Sequence, residues 1–397
     1  MESKATLRIR KQDVILYFVM FAFLYPRGFS ETVPIYKTIF SLWTWLAVAI
    51  IWCQFFMIQI KKNESVIKIN RKYIWIAGYF LLAILITIFI RKTVSSGLQQ
   101  LIAYPSLFLF VVTNFKKKPE RLLNCISNIL LILFTINLFV FGGRFFNIEH
   151  LTFLGHVQII SQIGLLAIFS TVLEYMMTNR HKKKTMLIVI IALLNMLVTD
   201  ADSAVLSAVI ILFGGIVYKW RLYHLFRYKS TRYIWIMCAV SVAVIYLIGI
   251  EGTIVEHIPV LGFSGRDYVW EDAVAKIAKS PILGYGIDGV LLTPFWTEWT
   301  GGGFNYGHNQ IVQNLLDGGI VLLISFWVMM LKCVQGTKRL PRKKYLVLVN
   351  VALSVLLFVM IFESPSLYCY MYIIMAIILV LPKVLSENQA KVLNNKE

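Results

Sequence analysis

The stretch "NYGHNQIVQNLLDGGI", residues 305–320, sets a lone histidine and a string of amides against an apolar run that continues as "VLLISFWVMMLKC". Polar side chains at the start of an apolar helix need a cavity or polar partners, because hydrocarbon offers neither. On a helix beginning there, Asn309, Gln313 and Asp317 fall at i, i+4 and i+8, one polar stripe down one face. Two chemistries compete for the pattern. Helix–helix hydrogen bonding accounts for the amides. General-base catalysis accounts for His308, because an imidazole overlooking a water-filled pocket can take a proton near neutral pH.

The elements that must position these residues are membrane helices. The chain has 397 residues, 58% hydrophobic and 15% charged, with a mean hydropathy of +0.73, where soluble domains run nearer a quarter charged. Twelve apolar runs recur along it, near 13–25, 36–60, 73–90, 98–113, 122–142, 155–177, 185–199, 203–218, 233–250, 309–331, 345–362 and 366–382. The fold class expected is an all-α integral membrane protein with about twelve spans, residues 1–397 forming a single polytopic domain. The basic start followed by an apolar core reads as a signal anchor, since no small-residue cleavage site follows it.

The net charge of +19 would suit nucleic acid, but its distribution excludes that reading. With the N-terminus placed in the cytoplasm, alternate loops hold 31 of the 39 cations on the inner side and seven on the outer, with Lys37 at a span boundary. This is the positive-inside rule. Both termini are expected in the cytoplasm, and membrane lipid is the expected partner of the basic loops. The five cysteines stand singly in or beside the spans, without metal-ligand spacing.

One loop is long, residues 251–308, and it lies on the outer side. Within it, Val269, Trp270, Ala273, Val274, Ile277 and Ala278 recur at helical spacing. Ser264 and Asp267 resemble a capping box, and Ser280-Pro281 ends the run. An amphipathic helix over 265–279 follows, lying on the membrane face, with Arg266 in its first turn. Beyond it, Phe295, Trp296, Trp299, Phe304 and Tyr306 crowd beside three glycines; such rings form interfacial belts or stack on sugars. The outer arginines are Arg27, Arg91, Arg144 and Arg266, and a planar fork suits a diphosphate. Asp200 and Asp202 form a DxD, a metal–nucleotide-sugar pattern, but nucleotide sugars are cytoplasmic and this DxD faces outward. No metal and no cofactor are expected.

Together, "SGRDYVW", "AKSPILGYG" and "GHNQIVQNLLDGGI" resemble the signature of the O-antigen ligase and polysaccharide polymerase family over about residues 262–320. The resemblance implies an outer-leaflet glycosyltransferase acting on polyprenyl-diphosphate-linked glycans, with His308 as base and Arg266 as diphosphate ligand. The family often carries Ser-Arg where this chain has Ala201-Asp202 or Asp202-Ser203, so Arg27, Arg91 or Arg144 must supply the second cation. The departure weighs more against a ligase than against a polymerase.

The function expected is therefore a polymerase of undecaprenyl-diphosphate-linked repeat units for capsule, exopolysaccharide or O-antigen. It would be a metal-independent, inverting enzyme, with Asn309, Gln313, Trp296, Trp299 and Tyr306 joining the arginines in substrate binding. A flippase and a chain-length regulator are the protein partners such a role implies. The alternatives are a ligase transferring glycan to a lipid A core and a flippase of lipid-linked glycans; against the latter, the two halves of the chain show no internal repeat. The topology has a direct test. In a cysteine-free background, a single cysteine near Gly302 should react with an impermeant thiol reagent in intact cells or spheroplasts, and one near Thr337 should not. The reverse pattern overturns the orientation.

Overall fold

The computed structural model describes residues 11–61, 71–92, 97–143, 145, 148, 150–199, 201–225, 229–249, 266–294, 302–303, 305–341 and 343–394. Its helices are α1 Lys11–Leu24, α2 Arg27–Thr32, α3 Pro34–Lys61, α4 Arg71–Arg91, α5 Leu98–Lys117, α6 Pro119–Phe139, α7 Ile160–Thr178, α8 Lys182–Val198, α9 Asp202–Lys219, α10 Ser230–Gly249, α11 Arg266–Lys279, α12 Gln310–Val334, α13 Lys343–Phe362 and α14 Cys369–Asn394. Among the described residues, nine helices are long and apolar enough to cross a membrane, and Gln12–Leu24 in α1 is a shorter apolar helix. Helices α8 and α10 are also apolar, so each of the twelve apolar runs in the sequence falls on a helix. The chain is an all-α membrane protein.

The centre is built by α7, α13 and α14, whose side chains are covered by protein on most sides. Lipid-facing surface falls on α3, α4, α8 and α9, where large apolar residues such as Phe89, Leu42 and Val209 stay exposed. Polar groups inside the bundle are paired: Asn137 donates to Asn195 at 2.7 Å, and Ser230 joins Asn350 and Thr337. The segments poor in cations gather on one face of the bundle. There the backbone N–H groups of Arg27 and Gly28 donate to Leu154 and Phe153, and Arg91 reaches Ile287. On the opposite face the cation-rich segments meet: Lys344 donates to the Met176 carbonyl and Lys184 pairs with Glu174 at 3.7 Å.

Three features depart from the sequence reading. First, α12 is not one straight helix. Gly318 (φ −159°, ψ 19°) and Gly319 (φ 60°, ψ −159°) break it after Asp317. The turn after α11 fills the break: the Tyr285 N–H donates to the Leu316 carbonyl at 2.7 Å, and Ile320 N–H donates to the Pro281 carbonyl at 2.9 Å. Second, α11 does not lie on a lipid face. Its apolar stripe, Val269, Trp270 and Ala273, is buried with Leu292 against Val312 and Leu316 of α12. The stripe is the right length to cover the first half of the broken helix, which would otherwise face water or lipid with polar neighbours beside it. Third, the segment between α6 and α7 forms a two-stranded hairpin, β1 Leu151–Thr152 antiparallel to β2 Gly155–His156. Strands of two residues leave no alternation to read.

Glycine is required at the break. A Cβ on Gly319 would sit 2.2 Å from the Ile282 carbonyl, while one on Gly215 in α9 meets nothing within 4 Å. Left-handed backbone alone costs a non-glycine residue roughly 1–2 kcal/mol. Gly319→Ala should therefore lower the melting temperature of the purified protein, and Gly215→Ala should leave it unchanged or higher. Equal melting temperatures would remove the break from the account.

Candidate active site

The site is assembled where α11, the start of α12 and the turn between α13 and α14 meet. The first residue of α11 is Arg266, and Trp270 one turn later is fully buried, its indole N–H donating to the Gly307 carbonyl at 2.9 Å. Gly307 N–H donates in turn to Gln313 Oε1 at 2.8 Å. Asn309 caps α12: its side-chain oxygen accepts from Ile311 and Val312, and its amide donates to the Ile361 carbonyl of α13 at 2.9 Å. These bonds on either side fix the backbone of His308, which has φ 46°, a strained value for a residue with a side chain.

Held this way, His308 faces Glu363, the residue directly after α13. His308 Nδ1 lies 3.8 Å from Glu363 Oε2, and the imidazole keeps 21% of its side-chain surface exposed while Glu363 keeps 1%. Arg266 Nη2 lies 3.0 Å from Glu363 Oε1 with 16% of its side chain exposed. Tyr306 completes the group. Its hydroxyl donates to Glu363 Oε2 at 2.8 Å and accepts from the Ser364 N–H at 2.9 Å, and its ring meets His308 edge-on at 4.6 Å. Burial, reinforced by the Glu363 carboxylate, holds the Tyr306 phenol well above its ordinary range, so it stays a donor. An imidazole, a guanidinium and a buried carboxylate thus share one spot.

The remaining predicted residues take distinct places. Gln313 donates to both oxygens of Asp317 and to the Asn305 carbonyl, so the polar stripe of α12 is satisfied within the protein. Gln310 exchanges two hydrogen bonds with Ser366, and Tyr79 donates to Asn314. The amides of α12 are thus bonded within the protein, whereas His308 keeps part of its ring exposed beside charged groups. Arg91 donates to the Ile287 carbonyl at 2.7 Å and braces the turn that fills the α12 break. Arg27 is different: its guanidinium sits 5.1 Å from the Tyr368 ring centre, with Tyr25 and Tyr370 at 5.9 and 6.0 Å, and its buried Nε has no hydrogen-bond partner. Tyr368 links this arginine to the cluster, since Arg27 and Glu363 both act on its phenol, which burial pushes up to about 12. Arg144, Trp296, Trp299, Phe295, Phe304, Asp200 and the Ser264 cap lie outside the described residues, as does the side chain of Asp267.

Sequence reasoning counted Glu363 among the outward residues that could share the pocket, as an outer carboxylate without a role, and missed His150 and His156. The hairpin brings His156 close enough for Glu363, His308 and Arg266 to act on it, and burial lowers its pKa so the ring stays neutral. A cleft of about 380 Å³ beside it is lined by Glu31, Thr32, Ile148, His150, Leu151 and His156. The one signal for Glu363 was a carboxylate immediately after an apolar run. Among the described residues, no three His, Cys, Asp or Glu side chains group as metal ligands.

The cap on α12 can be separated from the chemistry. Asn309→Ala removes a helix cap, worth about 1 kcal/mol, and should lower thermal stability while reducing turnover far less than a change at His308. A turnover loss equal to that of His308→Gln, at unchanged stability, would place Asn309 in the chemistry.

A comparison with protein-family models matches residues 187–327 to the family described as O-antigen ligase, and no curated protein matches the chain. The matched stretch holds Arg266 and His308; Glu363, Arg27 and the hairpin lie beyond it. Members of the family are glycosyltransferase-like enzymes of glycan assembly that use lipid-linked substrates. Residues 187–327 are thus similar to the O-antigen ligase family, a match consistent with an O-antigen ligase or polymerase family for the chain.

Proposed function

We propose that this protein is a polysaccharide polymerase that joins undecaprenyl-diphosphate-linked repeat units at the outer face of the cytoplasmic membrane. The observation that carries the reading is the meeting of His308 and Arg266 on one buried carboxylate, Glu363. The anomeric carbon of the growing chain is the electrophile and a hydroxyl of the incoming unit is the nucleophile. The hydroxyl oxygen bonds to the anomeric carbon as the bond to the lipid diphosphate breaks, and the diphosphate leaves with the electron pair. His308 takes the hydroxyl proton. Its Nδ1 faces Glu363, so Nε2 is the nitrogen that receives it. Arg266 holds the leaving diphosphate, whose new charge a guanidinium binds in bidentate fashion. A single displacement inverts the anomeric configuration.

Arg27 is the second cation in this reading. Of the three candidates, Arg91 is committed to the Ile287 carbonyl, whereas Arg27 stands partly exposed in a frame of tyrosines beside the cluster. The slot that carries Ser-Arg in many relatives holds Asp202 at the first turn of α9, which favours a polymerase over a ligase. The aromatic segment 295–306 would then hold sugars.

The test is a ladder of lipid-linked glycan lengths from a deletion strain carrying each variant at matched protein level. General-base transfer contributes about 10²- to 10⁴-fold in rate, so His308→Gln should collapse the ladder to single units. Arg266→Lys should do the same, because a point charge does not replace a planar fork. A wild-type ladder from either variant removes that residue from catalysis. Loss of a preassembled block from a lipid core, with the ladder intact, would mark a ligase.

A further inference from the structure

We infer that Glu363 is a positioning residue that couples diphosphate binding to activation of His308; the inference rests on the function proposed above. Glu363 is divided among three groups. One oxygen holds Arg266 Nη2 at 3.0 Å, the other accepts from Tyr306 at 2.8 Å, and His308 Nδ1 waits at 3.8 Å, beyond hydrogen-bond reach. Arg266 is itself incompletely satisfied, with a buried Nε that has no hydrogen-bond partner. An incoming diphosphate offers that arginine several acceptor oxygens and more negative charge than one carboxylate, so it draws the guanidinium away from Oε1.

A carboxylate that loses its cation in a buried site must find another partner, because an unpaired buried charge is costly. His308 Nδ1 is close by, at 3.8 Å, about 1 Å beyond an ordinary hydrogen bond. Tyr306 keeps Oε2 tethered and Ser364 tethers Tyr306, so Glu363 closes on His308 by a small rotation instead of leaving the site. Once bonded, the carboxylate fixes the imidazole with Nε2 toward the acceptor hydroxyl and stabilises the imidazolium that forms, the role a carboxylate plays behind a catalytic histidine. The base is then competent only when the leaving group is in place, and no proton is moved by Glu363 itself.

This coupling has a signature that a packing role lacks, since affinity and rate change in opposite directions. Glu363→Gln keeps the shape and the bond to Tyr306 but removes the charge that competes for Arg266. In nanodiscs, undecaprenyl diphosphate should bind this variant about five-fold or more tightly, within the usual range of coupling between sites. The same variant should turn over roughly ten-fold or more slowly, a part of what base transfer supplies. Weaker binding together with slower turnover would show that Glu363 only packs the site, and unchanged values would show that it does nothing; either overturns the inference. If Glu363→Gln does not insert, Glu363→Asp is read by the same two signs, because a shorter carboxylate leaves Arg266 freer and His308 farther away. Arg266→Lys and His308→Gln run beside it: if both retain wild-type turnover, the proposed function fails, whereas if both are inactive and Glu363→Gln is normal, only the coupling fails.

Discussion

A bilayer gives a free backbone amide or carbonyl nothing to bond, and this constraint organises the whole loop face of the molecule. The α12 helix stops at Gly318-Gly319 inside an apolar run, and the chain between α11 and residue 288 exists in its observed shape to repair that stop. Carbonyls of Pro281 and Ile282 receive the N–H groups below the break, and Tyr285 returns an N–H to the carbonyl above it. Gly284 and Gly319 are the residues that let two backbones come this close. Because the repair is made by backbone, it fixes the loop to the helix without regard to what else the loop carries. Arg91 and Thr87 of α4 brace the same turn from the other side.

The site is a by-product of that docking. Once the turn is seated, α11 has one place to lie, and its stripe closes over Val312 and Leu316. Arg266 at its first residue then points toward the end of α13, where Glu363 is buried. The α12 break also frees the first half of the helix to be short and polar, so Asn309, Gln310 and Gln313 can pin the loop ahead of it. His308 is held between two such pins in a strained backbone conformation. Strain of this kind persists only where the surroundings over-determine it, and here the surroundings are the hydrogen bonds of Trp270, Gln313 and Asn309.

Much of this was legible in the sequence, and the part that was not has a physical explanation. Hydropathy and charge alternation gave twelve helices because membrane spans must be apolar and their loops signed. The α11 helix was legible because its stripe repeats at helical spacing, but the stripe alone could not say whether lipid or protein covers it. The pairing of Glu363 with Arg266 joins residues 97 positions apart, and no local pattern encodes a contact at that separation. The hairpin carrying His156 is too short to show strand alternation. The Gly318-Gly319 break was present in the sequence as two glycines inside an apolar run, a pattern equally compatible with close helix packing. Polar residues of α12 were readable as a stripe, yet only their partners show that they brace the fold, while His308 just ahead of them meets Glu363.

The central claim is that a histidine and an arginine gathered on one carboxylate perform a direct displacement at a polyprenyl-diphosphate-linked sugar. The most direct measurement uses the purified protein in nanodiscs with a defined lipid-linked repeat unit and a chelator present. The anomeric configuration of the new linkage is read by NMR, and undecaprenyl diphosphate released is counted against linkages formed. The account predicts an inverted anomeric centre and one lipid diphosphate released for each new bond. Retained configuration, or new linkages formed without release of lipid diphosphate, would contradict it.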